Sequence, residues 1–244
     1  MSRRAGLATA AAAGCVLLAS GCGDGTTSVN ARPTPAVSST PSSTGSPSST
    51  SSAEALTSAV QSPHPNQTEL LAALPTLPSE GKPWVGSTGP VGLLTFDQYI
   101  DMLPPATQQI ARPKETRRGL QFAARRNWAQ PDGVLVDVRL VRYAAPSGAR
   151  SYFLAEQSVH LATSATDTFT VPGVPDSSGL AIPKLDKAGN ASVMVQIVAG
   201  DTVVLVFEAS PATPDRDNAT AVAKQAYRSV CAVQDCSPLP AGTA

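Results

Sequence analysis

Between Gly23 and Pro65 the chain reads GDGTTSVNARPTPAVSSTPSSTGSPSSTSSAEALTSAVQSPHP. Ser, Thr, Pro and Gly dominate, and no apolar period runs through it. Such a stretch buries too little surface to offset its ordering entropy, so it is expected to stay disordered. This feature sets the problem for the rest of the 244 residues. Whatever folds must be built from the residues that follow. A flexible segment of this length has a root-mean-square reach of about 35 Å, extended further by its prolines.

The residues before it have a different logic. Arg3 and Arg4 form a short basic start, and Ala5 to Ser20 carries no charge. That apolar run is shorter than the roughly 20 residues a membrane-crossing helix needs. Basic start, short apolar run and small residues make the layout of a secretory leader. It ends Leu18-Ala19-Ser20-Gly21-Cys22. That ending resembles the lipobox of bacterial lipoproteins, which implies that the small residues fit the backbone into a peptidase and that the Cys22 thiol takes a lipid. Acyl chains anchor through about 0.8 kcal/mol per buried methylene, so two or three hold far better than one. The expected organisation is a signal peptide over 1–21, a lipidated Cys22 opening a disordered tether over 22–67, a folded domain over 68–236, and a disordered tail over 237–244. The sequence leaves open whether export is general or twin-arginine.

The formal net charge is zero and only 15 % of residues are charged. A neutral chain has no global pull toward nucleic acid. Beyond the tether, about 150 residues suit one domain. Thr95 and Gln98 have the spacing of a capping box. Phe96, Tyr99, Ile100 and Leu103 follow at helical spacing, and Pro104-Pro105 ends that short helix. Residues 119–128 alternate as a strand, Gln130-Pro131-Asp132-Gly133 turns, and Val134 to Val141 returns, with Val134, Val136, Val138 and Leu140 on one face. Pro146 opens a helix to about Leu161. Pro172, Pro175 and Pro183 mark an irregular stretch. Ala191–Val198 and Thr202–Ala209 form a second hairpin around Gly200-Asp201. A last helix carries Ala219, Val222, Ala223, Ala226, Tyr227 and Val230 as an amphipathic stripe.

The predicted class is therefore α+β: one antiparallel sheet made from two hairpins, with helices packed on one face. Strand, turn, strand, proline and helix occur twice. A duplication and a recurrent way of building such a layer both account for that order.

Candidate chemistry is sparse. Of four Cys, Cys231 and Cys236 suit a disulfide outside the cytoplasm. A zinc site lacks ligands, since His64 and His160 are the only histidines; no metal and no cofactor are expected. Glu156 and His160 stand four apart on a predicted helix, as do Asp97 and Asp101, and surface pairing explains both pairs more simply than catalysis. No G-x-S-x-G nucleophile motif occurs. Arg112, Lys114, Arg117, Arg118, Arg125 and Arg126 form the one basic run. It is expected to be a solvated face or strand edge, with anionic lipid or wall phosphate as the alternative partner. Trp84 and Trp128 are candidate sugar-stacking platforms, with packing the expected role of Trp128.

The leader, Cys22 and the Ser/Thr/Pro segment resemble those of uncharacterised actinobacterial-type cell-envelope lipoproteins. The folded part is faintly similar to the small α+β sensor or ligand-binding modules that such lipoproteins and receptor kinases display. The resemblance implies a membrane-anchored, extracytoplasmic, non-catalytic module that binds an envelope ligand or a protein partner, and no nucleic acid. Those modules often carry two disulfides, and this chain has cysteines for one in its fold. An envelope hydrolase using Glu156, His160 or Asp97 is the alternative.

Overall fold

The structure is a computed structural model, and it describes residues 64–162, 167–183, 186, 189–211 and 213–236. The chain divides into two units; the second, Leu18–Gln61, falls outside the described residues, so the larger one is described by itself. The expected signal peptide, Cys22, the tether body and the C-terminal tail likewise lie outside them.

Seven antiparallel strands form one sheet in the order β1-β2-β3-β7-β6-β5-β4. They are β1 (Gly92–Thr95), β2 (Leu120–Ala129), β3 (Leu135–Tyr143), β4 (Asp167–Phe169), β5 (Ser177–Ile182), β6 (Asn190–Ala199) and β7 (Thr202–Pro211). The helices are α1 (Gln67–Ala72), α2 (Phe96–Asp101), α3 (Pro105–Arg118), α4 (Pro146–Ala162) and α5 (Arg216–Cys231). The α+β class and the antiparallel sheet stand, and the two predicted hairpins, β2–β3 and β6–β7, sit at its centre, joined through β3 and β7.

The helices do not lie on one face, as the sequence led us to expect; they cover both. On the first face, Val193, Val195 and Ile197 of β6 and Val204 and Val206 of β7 pack under Ala219, Ala223, Ala226 and Val230 of α5, and the same core takes in Val136, Val138 and Leu140 of β3 and Leu70 of α1. On the second, Val141, Tyr143 and Val203 meet Tyr99 and Ile100 of α2 and Ala149 and Phe153 of α4. The reason is in the central strands. β7 begins TVVLVF and β3 ends LVRY, so apolar side chains project both ways and each face needs a cover.

The repeated units also part company here. Pairing between β3 and β7 is symmetric about Val138↔Val206, with Leu135↔Ala209 on one side and Val141↔Val203 on the other. The two-fold axis implied by that pairing stands normal to the sheet and keeps each face to itself. α4 and α5 lie on opposite faces, so the second unit is not a rotated copy of the first.

Three further features add to the sequence reading. Pro104-Pro105 does follow the end of α2, but Pro105 also opens α3, at the first helical position where its missing N–H costs nothing. The stretch containing Pro172 and Pro175 leads into β5, which extends the sheet. Finally, α4 approaches α3 closely: a Cβ on Gly148 would sit 2.1 Å from the Arg118 carbonyl oxygen, so only glycine permits this contact.

Candidate functional site

The first face is closed mainly by α5, an amphipathic helix with an alanine stripe, with α1 beside it. The second is roofed by three helices interrupted by Pro104 and Pro105, and these leave a gap. The gap is a cleft of two chambers. An inner one of about 90 Å³ lies between α2, α4 and strands β6 and β7, walled by Tyr99, Tyr152, Glu156, Met194, Gln196 and Leu205. An outer one of about 510 Å³ is walled by Trp84, Ser87, Met102, Pro104, Pro105 and Gln108. Asp137, Arg139, Leu103 and Phe207 line both, so these residues form the junction.

The polar floor comes from the β2–β3 register. Arg125 pairs with Arg139 and Asn127 with Asp137 across the hairpin, which puts Arg125, Asp137 and Arg139 on the same face. Asp137, 3 % exposed, receives both guanidiniums. Arg125 Nε donates to its Oδ2 at 2.9 Å, while Arg139 Nε donates to Oδ1 at 3.1 Å and Arg139 Nη2 to Oδ2 at 3.1 Å. Burial pushes the Asp137 carboxyl upward, and the two guanidiniums more than reverse it, holding it below its ordinary value. Arg125 also ties down the cleft wall: it donates to the Thr88 carbonyl at 2.6 Å and to Ser87 Oγ at 2.7 Å. Asn127 donates to that same hydroxyl at 2.7 Å. A loop without secondary structure is thereby fixed by its hydrogen bonds to β2.

Behind the inner chamber lies a second polar cluster. Tyr143 donates to Glu115 Oε2 at 2.9 Å, Arg118 binds the other oxygen, and the Arg118 guanidinium stacks 5.4 Å over the Tyr152 ring. Burial raises the phenol of Tyr143, and the neighbouring Glu115 carboxylate adds to it. Burial also raises Glu156, helped by Glu115 and opposed by Arg118 and Lys114, so this acid is held toward its uncharged form.

The residues singled out from the sequence are dispersed. Asp97 and Asp101, with side chains 72 % and 64 % exposed, both face Arg112 of α3, Asp97 at 2.5 Å and Asp101 at 3.4 Å. Asp97 therefore does not converge with Glu156, which lines the inner chamber. The side chain of His160 lies outside the described residues. Trp128 is 1 % exposed in the first-face core, whereas Trp84 lines the outer chamber. The basic run is not one solvated face: Arg112, Arg118 and Arg125 serve the contacts above, and Arg126 donates to the Pro75 carbonyl at 2.5 Å. Cys231, the last residue of α5, and Cys236 are bonded, Cα to Cα 5.4 Å. Among the described residues no group of three His, Cys, Asp or Glu side chains could hold a metal ion, and no helix is long and apolar enough to cross a membrane.

Sequence reasoning passed over Asp137, Arg139 and Phe207 as site residues. One signal was present. A turn at Pro131-Asp132-Gly133 sets Arg125 opposite Arg139, and three charges on one face of an otherwise apolar hairpin need each other.

Fold and cleft define a single α+β domain with a two-chambered cleft over a buried guanidinium–carboxylate–guanidinium floor. No family model and no curated protein matches the chain. Among solved structures, the extracellular domain of PknH from Mycobacterium tuberculosis is similar at 15 % identity and a TM-score of 0.49, over 68 % of this chain and 97 % of that one. The likeness is too slight to carry function from one chain to the other.

Proposed function

We propose that this chain is an extracytoplasmic, lipid-anchored module that binds a ligand in the cleft and performs no chemistry on it. The observation that carries the reading is the cleft itself: two joined chambers over a charged floor fixed by buried hydrogen bonds, in the size range of small-molecule sites, about 300–1,000 Å³. Location is supported by the leader, by the small residues before Cys22, and by the Cys231–Cys236 pair, a bond that persists in oxidising compartments. In this reading the Ser/Thr/Pro segment spaces the domain from the membrane.

The hydrolase alternative asked for Glu156, His160 and Asp97 to converge in one pocket. Asp97 is exposed and pairs with Arg112, whereas Glu156 lines the inner chamber; the side chain of His160 lies outside the described residues. The cleft is the observation that favours the binding reading. Growth with radiolabelled palmitate is expected to label the wild-type protein and leave Cys22→Ser unlabelled; a wild-type protein that takes up no label overturns the anchoring.

A further inference from the structure

We infer that the outer chamber takes an uncharged sugar ring, its apolar face stacked on Trp84 and its hydroxyls held by Ser87 and Gln108. This deepens the reading of the cleft as a binding site and rests on it.

The polar atoms at the chamber wall are the first argument. Ser87 Oγ accepts two hydrogen bonds, from Arg125 Nη2 at 2.7 Å and from Asn127 Nδ2 at 2.7 Å. A hydroxyl has two lone pairs and one proton, so what Ser87 keeps for a ligand is its O–H donor. Gln108 has the opposite remainder. Its Nε2 donates to the Leu103 carbonyl at 2.7 Å and to the Asp101 carbonyl at 3.2 Å. Two carbonyl partners fix which end of the amide is nitrogen and use both of its hydrogens, so Oε1 is left as an acceptor. Both residues line the outer chamber, and both are held by the bonds they already make. One oriented donor and one oriented acceptor, neither charged, suit hydroxyl groups, which give and receive. The charged groups are paired within the protein: Asp137 with Arg125 and Arg139, and Asp101 with Arg112.

The second argument is the indole. Trp84 is half-buried and lines the same chamber. The loop that carries it is pinned on both sides. Before it, Lys82 and Ala129 exchange backbone hydrogen bonds at 2.9 and 2.8 Å; after it, Arg125 holds Ser87, Thr88 and Pro90. An indole offers a large flat apolar face, and a pyranose has one face of C–H groups and a rim of hydroxyls. A wholly apolar ligand would cover Trp84 and strand the Ser87 proton and Gln108 Oε1 without partners, which costs free energy once water is excluded. A small polar solute with no apolar face would leave the indole uncovered. The outer chamber, about 510 Å³, has room for a sugar ring, and the inner one, about 90 Å³, is not needed.

Calorimetric titration of the full chain with chitotriose, maltotriose, mannotriose and cyclohexanol tests this, with tryptophan fluorescence read in parallel. The chain has two tryptophans, and Trp128 is 1 % exposed in the first-face core, so a ligand in the cleft reports through Trp84. At least one trisaccharide is expected to bind once per chain, tenfold or more tighter than cyclohexanol, and to change the fluorescence. Chitotriose binding tightest separates an N-acetylated glycan from a plain hexose polymer. Trp84→Ala is expected to cost the sugar at least tenfold, with Trp84→Phe retaining part of the binding. Should Trp84→Ala fail to fold, the wild-type comparison of sugar with cyclohexanol and the fluorescence change decide the matter. Cyclohexanol binding as tightly as every sugar overturns the sugar and leaves the cleft reading in place. A sugar that binds with the fluorescence unmoved overturns the stacking on Trp84. No binding by any of the four overturns this inference together with the cleft reading.

Discussion

The two faces of the sheet solve the same problem differently. On the first, α5 lays Ala219, Ala223 and Ala226, all 0 % exposed, on valines of β6 and β7. Small residues at one stripe let a helix sit close, and little space is left. On the second, α2 is six residues long and α3 starts at once behind Pro104, so the roof arrives in pieces. Where the pieces fail to meet, the floor is charged rather than apolar. The contrast teaches that burial alone does not make a site. It takes an imperfect cover over groups that cannot be left dry and unpaired.

The sharpest way to break the contrast is to remove the shared carboxylate. Asp137→Asn leaves two guanidiniums facing a neutral amide, one of them buried. Loss of one partner in a buried ion pair costs about 3–5 kcal/mol, which chemical denaturation would measure directly. If the loss is under about 1 kcal/mol, the floor is more hydrated than its burial implies. The pH sign follows from the lowered carboxyl. Its stabilisation is present above the unfolded value near 4 and disappears as pH falls through the lower folded value, so wild-type and variant should converge only in strong acid.

A smaller effect is expected on the closed face, which holds one acid of its own. Glu208 is 1 % exposed, receives Asn218 Nδ2 at 2.5 Å on one oxygen, and has no hydrogen-bond partner on the other. Burial raises it to about 7, opposed by the Asn218 bond and helped by Asp215 and Asp132. The folded value lies above the unfolded one. Both states are therefore protonated below about pH 4.5 and the acid costs nothing there. From pH 4.5 to 7 only the unfolded state ionises, and stability falls. Glu208→Gln should consequently stabilise the protein by up to about 3 kcal/mol at pH 8 and by little at pH 4. Thermal melts at the two pH values check it; an equal effect at both would show that Glu208 titrates normally.

The smallest effect belongs to the exposed pair at the outer edge of the roof. Arg112→Ala removes the contacts to Asp97 and Asp101, and its stacking 5.6 Å over Phe96. Exposed pairs contribute about 0–1 kcal/mol, and salt should erase most of the difference. A loss above that range would mean that the α2–α3 contact holds the roof together.

How much of this was legible follows the same division. The β2–β3 and β6–β7 hairpins announce themselves by alternation and turn residues, and α5 by an apolar stripe in which Ala219, Ala223, Ala226 and Val230 are buried and Val222 and Tyr227 half-buried. The Thr95–Gln98 box is present with both of its bonds. α3 was invisible because PATQQIARPKETRR has no apolar stripe; its one buried residue is Glu115, held by Tyr143 and Arg118. β5 is six residues with a central glycine, beneath any periodic signal. Arg125 looked like part of a surface charge run because neighbouring arginines in sequence point to different places. The cleft was unreadable for a similar reason: Trp84, Leu103, Arg139, Glu156 and Phe207 meet only after the roof has formed in pieces.

One contact far from the cleft has a mechanical meaning. His64 Nδ1 lies 2.5 Å from Asp201 Oδ2, a buried carboxylate at the β6–β7 turn that also receives Arg142. Gln234, between the two bonded cysteines, holds the neighbouring Ala199 carbonyl. The residue that leads into α1 is thus moored to the tip of the β6–β7 hairpin, beside a covalent staple, so the entry of the chain into the domain and the exit of its last helix are fastened at one place.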